Sequence, residues 1–320
     1  MRYAIISDVH GNIDALSAVL KDARRFNIKD FIFVGDYCAY FPFPNEVVDT
    51  IIGMKNAIVV KGNEEDYLIE YSKQDQCTWT DGQFQALYWL YKNLTESNHI
   101  YLRELPNAAT INNGDIKISI AHKSSDFYGN IEYSEFSPQK VTEKYEKCPN
   151  PRGQLLRDIQ EFMDFNPEFH SATQSLADDV YIFGHTHIQW HAWHKNKVFI
   201  NPGSCGFPLD GVSGAPYTVL EIENNKINIV ERRVLYDIDK LKLDLKNSSL
   251  YEAAPVWISV ILGEVDAKFD YAMSFLQFAE SYANKVNDHI RPFSLKTWTE
   301  AFNLWIVTQL LPTKLTIPTP

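Results

Sequence analysis

Three short stretches decide the fold: RYAIISDVHGN (residues 2–12), FIFVGDY (residues 31–37) and AIVVKGNEE (residues 57–65). Each holds an apolar run that stops at polar residues. Asp8-Val9-His10 follows the first run, Gly35-Asp36 the second and Gly62-Asn63 the third. Between them, residues 12–26 carry Ile13, Leu16 and Leu20 at helical spacing, and residues 45–52 look helical, with Pro44 and Asn45 as start signals. Strand, helix, strand, helix, strand with short links predicts a parallel sheet covered by helices. Loops past the carboxyl ends of such strands are where α/β sheets bind ligands.

The same reading extends along the chain. Residues 82–93 have helical period, and residues 116–121 are strand-like. Residues 123–167 are polar and read as an insertion over the site, helical near 154–162. Residues 180–183 form another apolar strand, ending at Gly184. Residues 189–234 alternate, with turns at Lys195-Asn196 and near 223–226, which predicts antiparallel hairpins joining a second sheet. Beyond Tyr236 the texture changes. Residues 238–250 read as a charged connector. Residues 266–286 carry Phe269, Met273, Leu276, Ala279, Ala283 and Val286 at helical spacing, and Trp298, Phe302 and Trp305 continue the style. The expected organisation is an α/β domain over residues 1–235 and a helical C-terminal extension over residues 236–320.

Composition narrows the function. The chain has 320 residues, 45% of them hydrophobic and 22% charged, which excludes wholesale disorder. Lys and Arg number 30 against 41 Asp and Glu, a net charge of −11, which argues against a broad nucleic-acid-binding surface. Cys38, Cys77, Cys148 and Cys205 are far apart with no CxxC pair, so a thiolate zinc site is not expected. The N-terminus meets Asp8 and His10 within ten residues, unlike a secretory signal, and the apolar run at 256–262 is too short to cross a bilayer. The expectation is a cytoplasmic protein without a membrane partner.

The polar strand ends supply the chemistry. Asp8, His10, Asp36, Asn63, His122, His185 and His187 are oxygen and imidazole donors, the types that suit manganese, iron, zinc or nickel. Residues two apart on a strand face one side, so Asp8 and His10 can reach one ion, and His185 and His187 can enter the same cleft. Asp36, on the adjacent loop, is placed to bridge two ions.

Taken in order, these motifs resemble the calcineurin-like metallophosphoesterase superfamily. The family pattern of D-x-H, G-D, G-N-[H/C]-[D/E], a histidine after a strand and G-H-x-H reads here as Asp8-Val9-His10, Gly35-Asp36, Gly62-Asn63-Glu64-Glu65, His122 and Gly184-His185-Thr186-His187. Asn201-Pro202-Gly203-Ser204 after the last histidines is similar to the small bacterial and archaeal phosphodiesterase-like branch. The resemblance covers roughly residues 1–234. It implies a two-sheet αββα sandwich and two divalent ions, manganese first, with iron, zinc or nickel as alternatives. Asp8, His10, Asp36 and His187 would hold one ion; Asp36, Asn63, His122 and His185 the other. It further implies hydrolysis of small phosphate esters, diesters before monoesters and nucleotides among them, by attack of a metal-bridging hydroxide. A catalytically weak scaffold or ligand-binding protein on the same fold is the alternative, and a homo-oligomer through the extension is a further expectation.

One position departs from the pattern. Glu64 stands where many active members carry a histidine. Facing the substrate, its carboxylate repels a phosphoryl group. Turned away, it opens a helix, where a carboxylate is favourable. The catalytic candidates are therefore Asp36, Asn63, His122 and, with its role open, Glu64. Candidate substrate contacts are Ser124, Ser125, Asp126 and Tyr128 after His122. Tyr37, Tyr40 and Phe41 form a candidate stacking wall for a base or aryl group.

Overall fold

The structure, a computed structural model, describes residues 1–310. Its strands are β1 (Arg2–Ile6), β2 (Asp30–Val34), β3 (Ala57–Val60), β4 (Ala108–Asn113), β5 (Ile116–Ala121), β6 (Val180–Ile182), β7 (Gln189–His194), β8 (Lys197–Pro202), β9 (Ala215–Glu223) and β10 (Lys226–Val234). They make two five-stranded sheets, ordered β10-β9-β1-β2-β3 and β4-β5-β6-β8-β7. β1, β2 and β3 are parallel, with Ile5 opposite Ile32 and Phe33 opposite Val59. β5, β6 and β8 are parallel in the second sheet, flanked by antiparallel β4 and β7.

The two-residue period of the strands builds the layers. Tyr3, Ile5, Ile32, Val34 and Val60 turn inward and meet Ile118, Ile120, Val180, Ile182, Val198 and Ile200 of the other sheet. Ala4, Ile6, Phe31 and Phe33 turn outward, under helices Ile13–Arg25 and Pro44–Ile52. Both faces of the central strands are covered, so they read as continuous apolar runs instead of alternating ones. The result is an αββα sandwich, with the carboxyl ends of β1, β2, β3, β5 and β6 feeding loops at its rim.

Four local expectations are corrected. The hairpin of β9 and β10 joins the first sheet, antiparallel to β1, not the second. Both faces of β9 are apolar (Tyr217 and Val219 outward, Leu220 and Ile222 inward), a pattern that fixes burial but not the partner. The insertion contains the helix Pro151–Phe165 and packs Phe136, Tyr145 and Leu155 mainly on the outer face of the second sheet, beside Tyr181 and Phe199, and reaches the rim at Tyr133. The connector at 238–250 is helical over Ile238–Lys246, with Leu241 and Leu245 buried. Residues 266–286 are not one helix. Helix Pro255–Ala267 stops at left-handed Lys268, and Ala272–Lys285 begins anew where Glu264 accepts hydrogen bonds from the N–H groups of Tyr271 and Ala272, both at 2.6 Å. That break turns Phe269 into the second-sheet cluster and leaves Met273 and Val286 exposed.

The C-terminal helices pack on the sandwich. Leu241, Leu245, Leu250, Ile258 and Ile261 share a cluster with Phe41, Phe207 and Leu209. Trp298 and Trp305 of helix Leu295–Leu310 close on Phe275 and Ala279. Among the described residues, no helix is long and apolar enough to cross a membrane.

Candidate metal centre

Five candidate ligands sit in the left-handed backbone region: Asp8 (φ 51°), His10 (φ 53°), Asp36 (φ 56°), His185 (φ 70°) and His187 (φ 60°). This conformation costs a side-chain-bearing residue roughly 1–2 kcal/mol. Such strain, gathered at one rim, marks a site whose geometry the surrounding fold imposes. Each strand ends and the chain turns sharply, which swings these side chains back over the sheet edge.

Two triads result. The ligand atoms of Asp8, His10 and His187 lie within 4.8 Å of one another, as do those of Asp36, His122 and His185. His187 Nε2 is 3.4 Å from Asp8 Oδ1 and 3.0 Å from His10 Nε2. His122 Nε2 is 3.2 Å from Asp36 Oδ2. The triads divide the His185-x-His187 pair between them. The left-handed turns at both histidines are the reason, since no strand runs through them. Asn63 opens helix Asn63–Tyr71, and its Oδ1 is buried without a partner. Glu64 Oε2 and His10 Nδ1 are likewise buried and make no hydrogen bond. Buried polar atoms are normally satisfied. A concentration of orphaned donors and acceptors, all of metal-ligating type, fits a divalent cation.

Second contacts aim the imidazoles. His187 Nδ1 lies 2.9 Å from Phe207 O, and His122 Nδ1 lies 2.6 Å from Val34 O. A carbonyl only accepts, so each Nδ1 carries the proton and each Nε2 points its lone pair at the centre. Burial drives His10 down to about 4, His185 to about 3 and His187 well below its usual value, so all three are neutral, as ligation requires. Burial opposes charge on Asp36 and His122 too, but their mutual attraction wins. Asp36 is held down and His122 rises to about 10. In that state a proton on His122 occupies the position a cation takes.

Neighbouring loops lock this arrangement. Glu65 Oε2 accepts from the N–H groups of Gly62 (2.7 Å) and Asp36 (3.0 Å), and Oε1 from that of Tyr37 (2.9 Å). Asn201 Nδ2 donates to Gly184 O (2.8 Å) and Thr186 Oγ1 (2.9 Å), which holds the loop of His185 and His187. Ser204 Oγ donates to Asp8 O at 2.6 Å. A Cβ at Gly62 would collide with the Asp36 carboxylate, and one at Gly184 with Ser7 and Asp8.

Glu64 both opens the helix and faces the centre. It is buried, and its carboxylate forms a third cluster with His10 and Asp36. Its N–H donates to Asp36 Oδ1 at 2.9 Å, and Tyr40 Oη donates to its Oε1 at 3.1 Å. Burial, reinforced by Asp36, pushes its carboxyl well up.

The expected stacking wall is only partly present. Tyr37 and Phe41 are fully buried, and the Tyr37 hydroxyl donates to Val60 O, so neither offers a face to substrate. Their apolar rings fill the core beneath the loop. Tyr40 does face the centre, 4.6 Å from the His10 ring. Ser124 is buried and donates to Glu132 Oε2 at 2.9 Å, Tyr128 is buried in the second-sheet cluster, Ser125 is half-buried and Asp126 is exposed. Sequence reasoning missed Tyr133, whose ring stacks on His185 at 5.3 Å, and Glu65, whose only signal was its place in the Gly62-Asn63-Glu64-Glu65 motif.

This fold and this rim of Asp, His and Asn side chains are those of a metallophosphoesterase. The family model for the calcineurin-like phosphoesterase superfamily domain matches residues 1–225, and the chain belongs to that superfamily. It is similar to an uncharacterised protein of Methanocaldococcus jannaschii, 29% identical over 252 residues, spanning 74% of this chain and 88% of the relative. Among solved structures, a metallophosphoesterase from Sphaerobacter thermophilus aligns with a TM-score of 0.56 at 24% identity, covering 84% of this chain and all of the other. A hypothetical protein from Pyrococcus horikoshii aligns with a TM-score of 0.57 at 18% identity, covering 80% and 96%. At these identities the two structures bear on the fold alone.

Proposed function

We propose that the protein hydrolyses small phosphate esters, diesters in preference to monoesters, with two divalent ions held by the two triads. The observation that carries this reading is the pair of triads on one rim, with partnerless buried oxygen and nitrogen atoms at Asn63, Glu64 and His10. Asp8, His10 and His187 hold one ion, and His122, His185 and Asn63 the other. Asp36, whose carboxylate neighbours His10 and His122, is shared. When bound, such a pair of ions supplies Lewis-acid activation of water and neutralises charge on the phosphate oxygens. Manganese is the first choice for this oxygen and imidazole set, with iron, zinc and nickel as alternatives.

The chain's own groups set the preference. Glu64 brings a carboxyl group beside His10 and Asp36, and divalent ions bound there would draw it back toward its charged form, against the additional negative oxygen of a monoester. A diester carries one charge fewer and meets less repulsion. Tyr40 holds Glu64 through Oε1, and Tyr133 covers His185. The test is a comparison of bis-p-nitrophenyl phosphate with p-nitrophenyl phosphate on metal-reconstituted protein. Faster diester turnover is expected. Faster monoester turnover would overturn the preference, and turnover of neither by metal-loaded protein would leave a binding scaffold.

A further inference from the structure

We propose that the centre opens into a side compartment that receives one compact, flat apolar ring of the substrate, and that the C-terminal helices complete it. The proposal rests on the phosphoesterase reading and deepens it. A cavity of about 160 Å³ lies beside Glu64, lined by Tyr40, Tyr67, Phe84, Trp257 and Leu276 among others. An apolar cavity of about 150 Å³ accepts benzene. The volume therefore suits a single six-membered ring.

The cavity adjoins the metal centre across two residues. Glu64 lines it and also stands within 4.8 Å of the ligand atoms of His10 and Asp36. Tyr40 lines it, rests on the His10 imidazole at 4.6 Å and donates to Glu64 Oε1. A phosphoryl group at the rim thus directs its ester substituent past Tyr40 and Glu64 into the cavity. The far wall comes from the extension. Trp257, on helix Pro255–Ala267, lies 6.3 Å from the Tyr40 ring, and Leu276 sits on helix Ala272–Lys285.

The lining selects the occupant. Ala39, Phe84, Ala86, Leu87, Trp257 and Leu276 make most of the lining, so beyond Gln83 and the tyrosine hydroxyls it offers a hydroxylated sugar few of the partners needed to offset desolvation. An organic cation is the competing occupant, because aromatic walls beside a carboxylate can cage one. Here one Glu64 oxygen is taken by Tyr40, and the carboxyl group belongs to the cluster with His10 and Asp36, so it is engaged on the metal side and not free to pair with a cation in the cavity.

The experiment is calorimetric titration of manganese-loaded protein with phenylphosphonate, methylphosphonate and phosphocholine, none of which requires turnover. Phenylphosphonate is expected to bind at least about tenfold tighter than methylphosphonate. Leu276→Trp, which fills the cavity, and Trp257→Ala, which removes its wall, should each bring that ratio to within about threefold of unity. A ratio near one in the unaltered protein, or one that survives in both folded variants, overturns the compartment. Phosphocholine binding tighter than phenylphosphonate overturns the ring in favour of a cation. If the manganese-loaded protein turns over neither nitrophenyl ester, the phosphoesterase reading itself falls, a result distinct from loss of the ratio.

Discussion

The Glu65 carboxylate accepts a hydrogen bond from the Asp36 backbone N–H at 3.0 Å, so a side chain outside both triads holds the residue that neighbours His122 on one side and His10 on the other. The same carboxylate also takes the N–H groups of Gly62 and Tyr37. Three donors converge on one acceptor-only group. In Glu65→Gln, an amide N–H₂ would face one of them. We expect metal affinity to fall about 10–100-fold, the usual scale for a residue supporting a ligand, with the fold retained by circular dichroism. Unchanged manganese affinity in titration calorimetry would remove Glu65 from this role.

Asp36 lies against ligands of both triads, with His122 Nε2 at 3.2 Å and His10 in the cluster it shares with Glu64. Asp36→Asn keeps the shape and removes the charge. Elemental analysis after reconstitution should show fewer than one ion per chain, against two expected for the unaltered protein. Turnover should fall at least about a thousandfold, on the scale of losing a principal electrostatic group. A variant that still binds two ions would show that Asp36 is not shared.

Glu64 replaces a possible proton donor with a carboxyl group beside the centre. Glu64→His should raise monoester turnover relative to diester turnover by roughly 10-fold or more, since positioned acid catalysis is commonly worth 10²–10⁴. Paired kinetics with the two nitrophenyl esters read the ratio directly. An unchanged ratio would show that this side chain does not act on the substrate's charge.

Glu132 gives a pH signature away from the metals. It is fully buried, one oxygen accepts from Ser124 Oγ, the other has no partner, and burial raises its carboxyl to about 7 from an ordinary 4.5. A raised folded-state value means the native state holds its proton more tightly than the unfolded chain. Its stabilisation is complete below pH 4.5, declines between 4.5 and 7, and is lost above. Glu132→Gln removes the titration. The variant should gain on the order of 3 kcal/mol over the unaltered protein at pH 8.5 and nothing at pH 4.5. Chemical denaturation at both values checks this, and a pH-independent difference would contradict it.

Much of the fold was legible because its signals are local. The runs ending at Ile6, Val34 and Val60 are apolar because helices and a second sheet cover both faces, and that burial is written residue by residue. The rim was legible for a related reason: every donor follows a strand directly, so sequence order places it at a sheet edge. The chain alone named Asp8, His10, Asp36, Asn63, His122, His185 and His187.

Tertiary structure decided what depends on contacts far apart in the chain. Nothing local to β9 says that it pairs with β1, 213 residues away at Ile5 and Thr218. Nothing local to His185 and His187 says that they part company. Left-handed turns, affordable only because Asn201 and Phe207 hold the loop from a distance, send one to Asp36 and the other to Asp8. Glu64 could be read as a helix opener or as a group facing the site, and it is both, because Asp36 and Tyr40 reach it from another loop. Trp257 and Leu276 gave no sign of bordering the centre, since helical spacing reports that a face is buried but not against what. Periodicity encodes burial, whereas the identity of a neighbour is settled only when the whole chain closes.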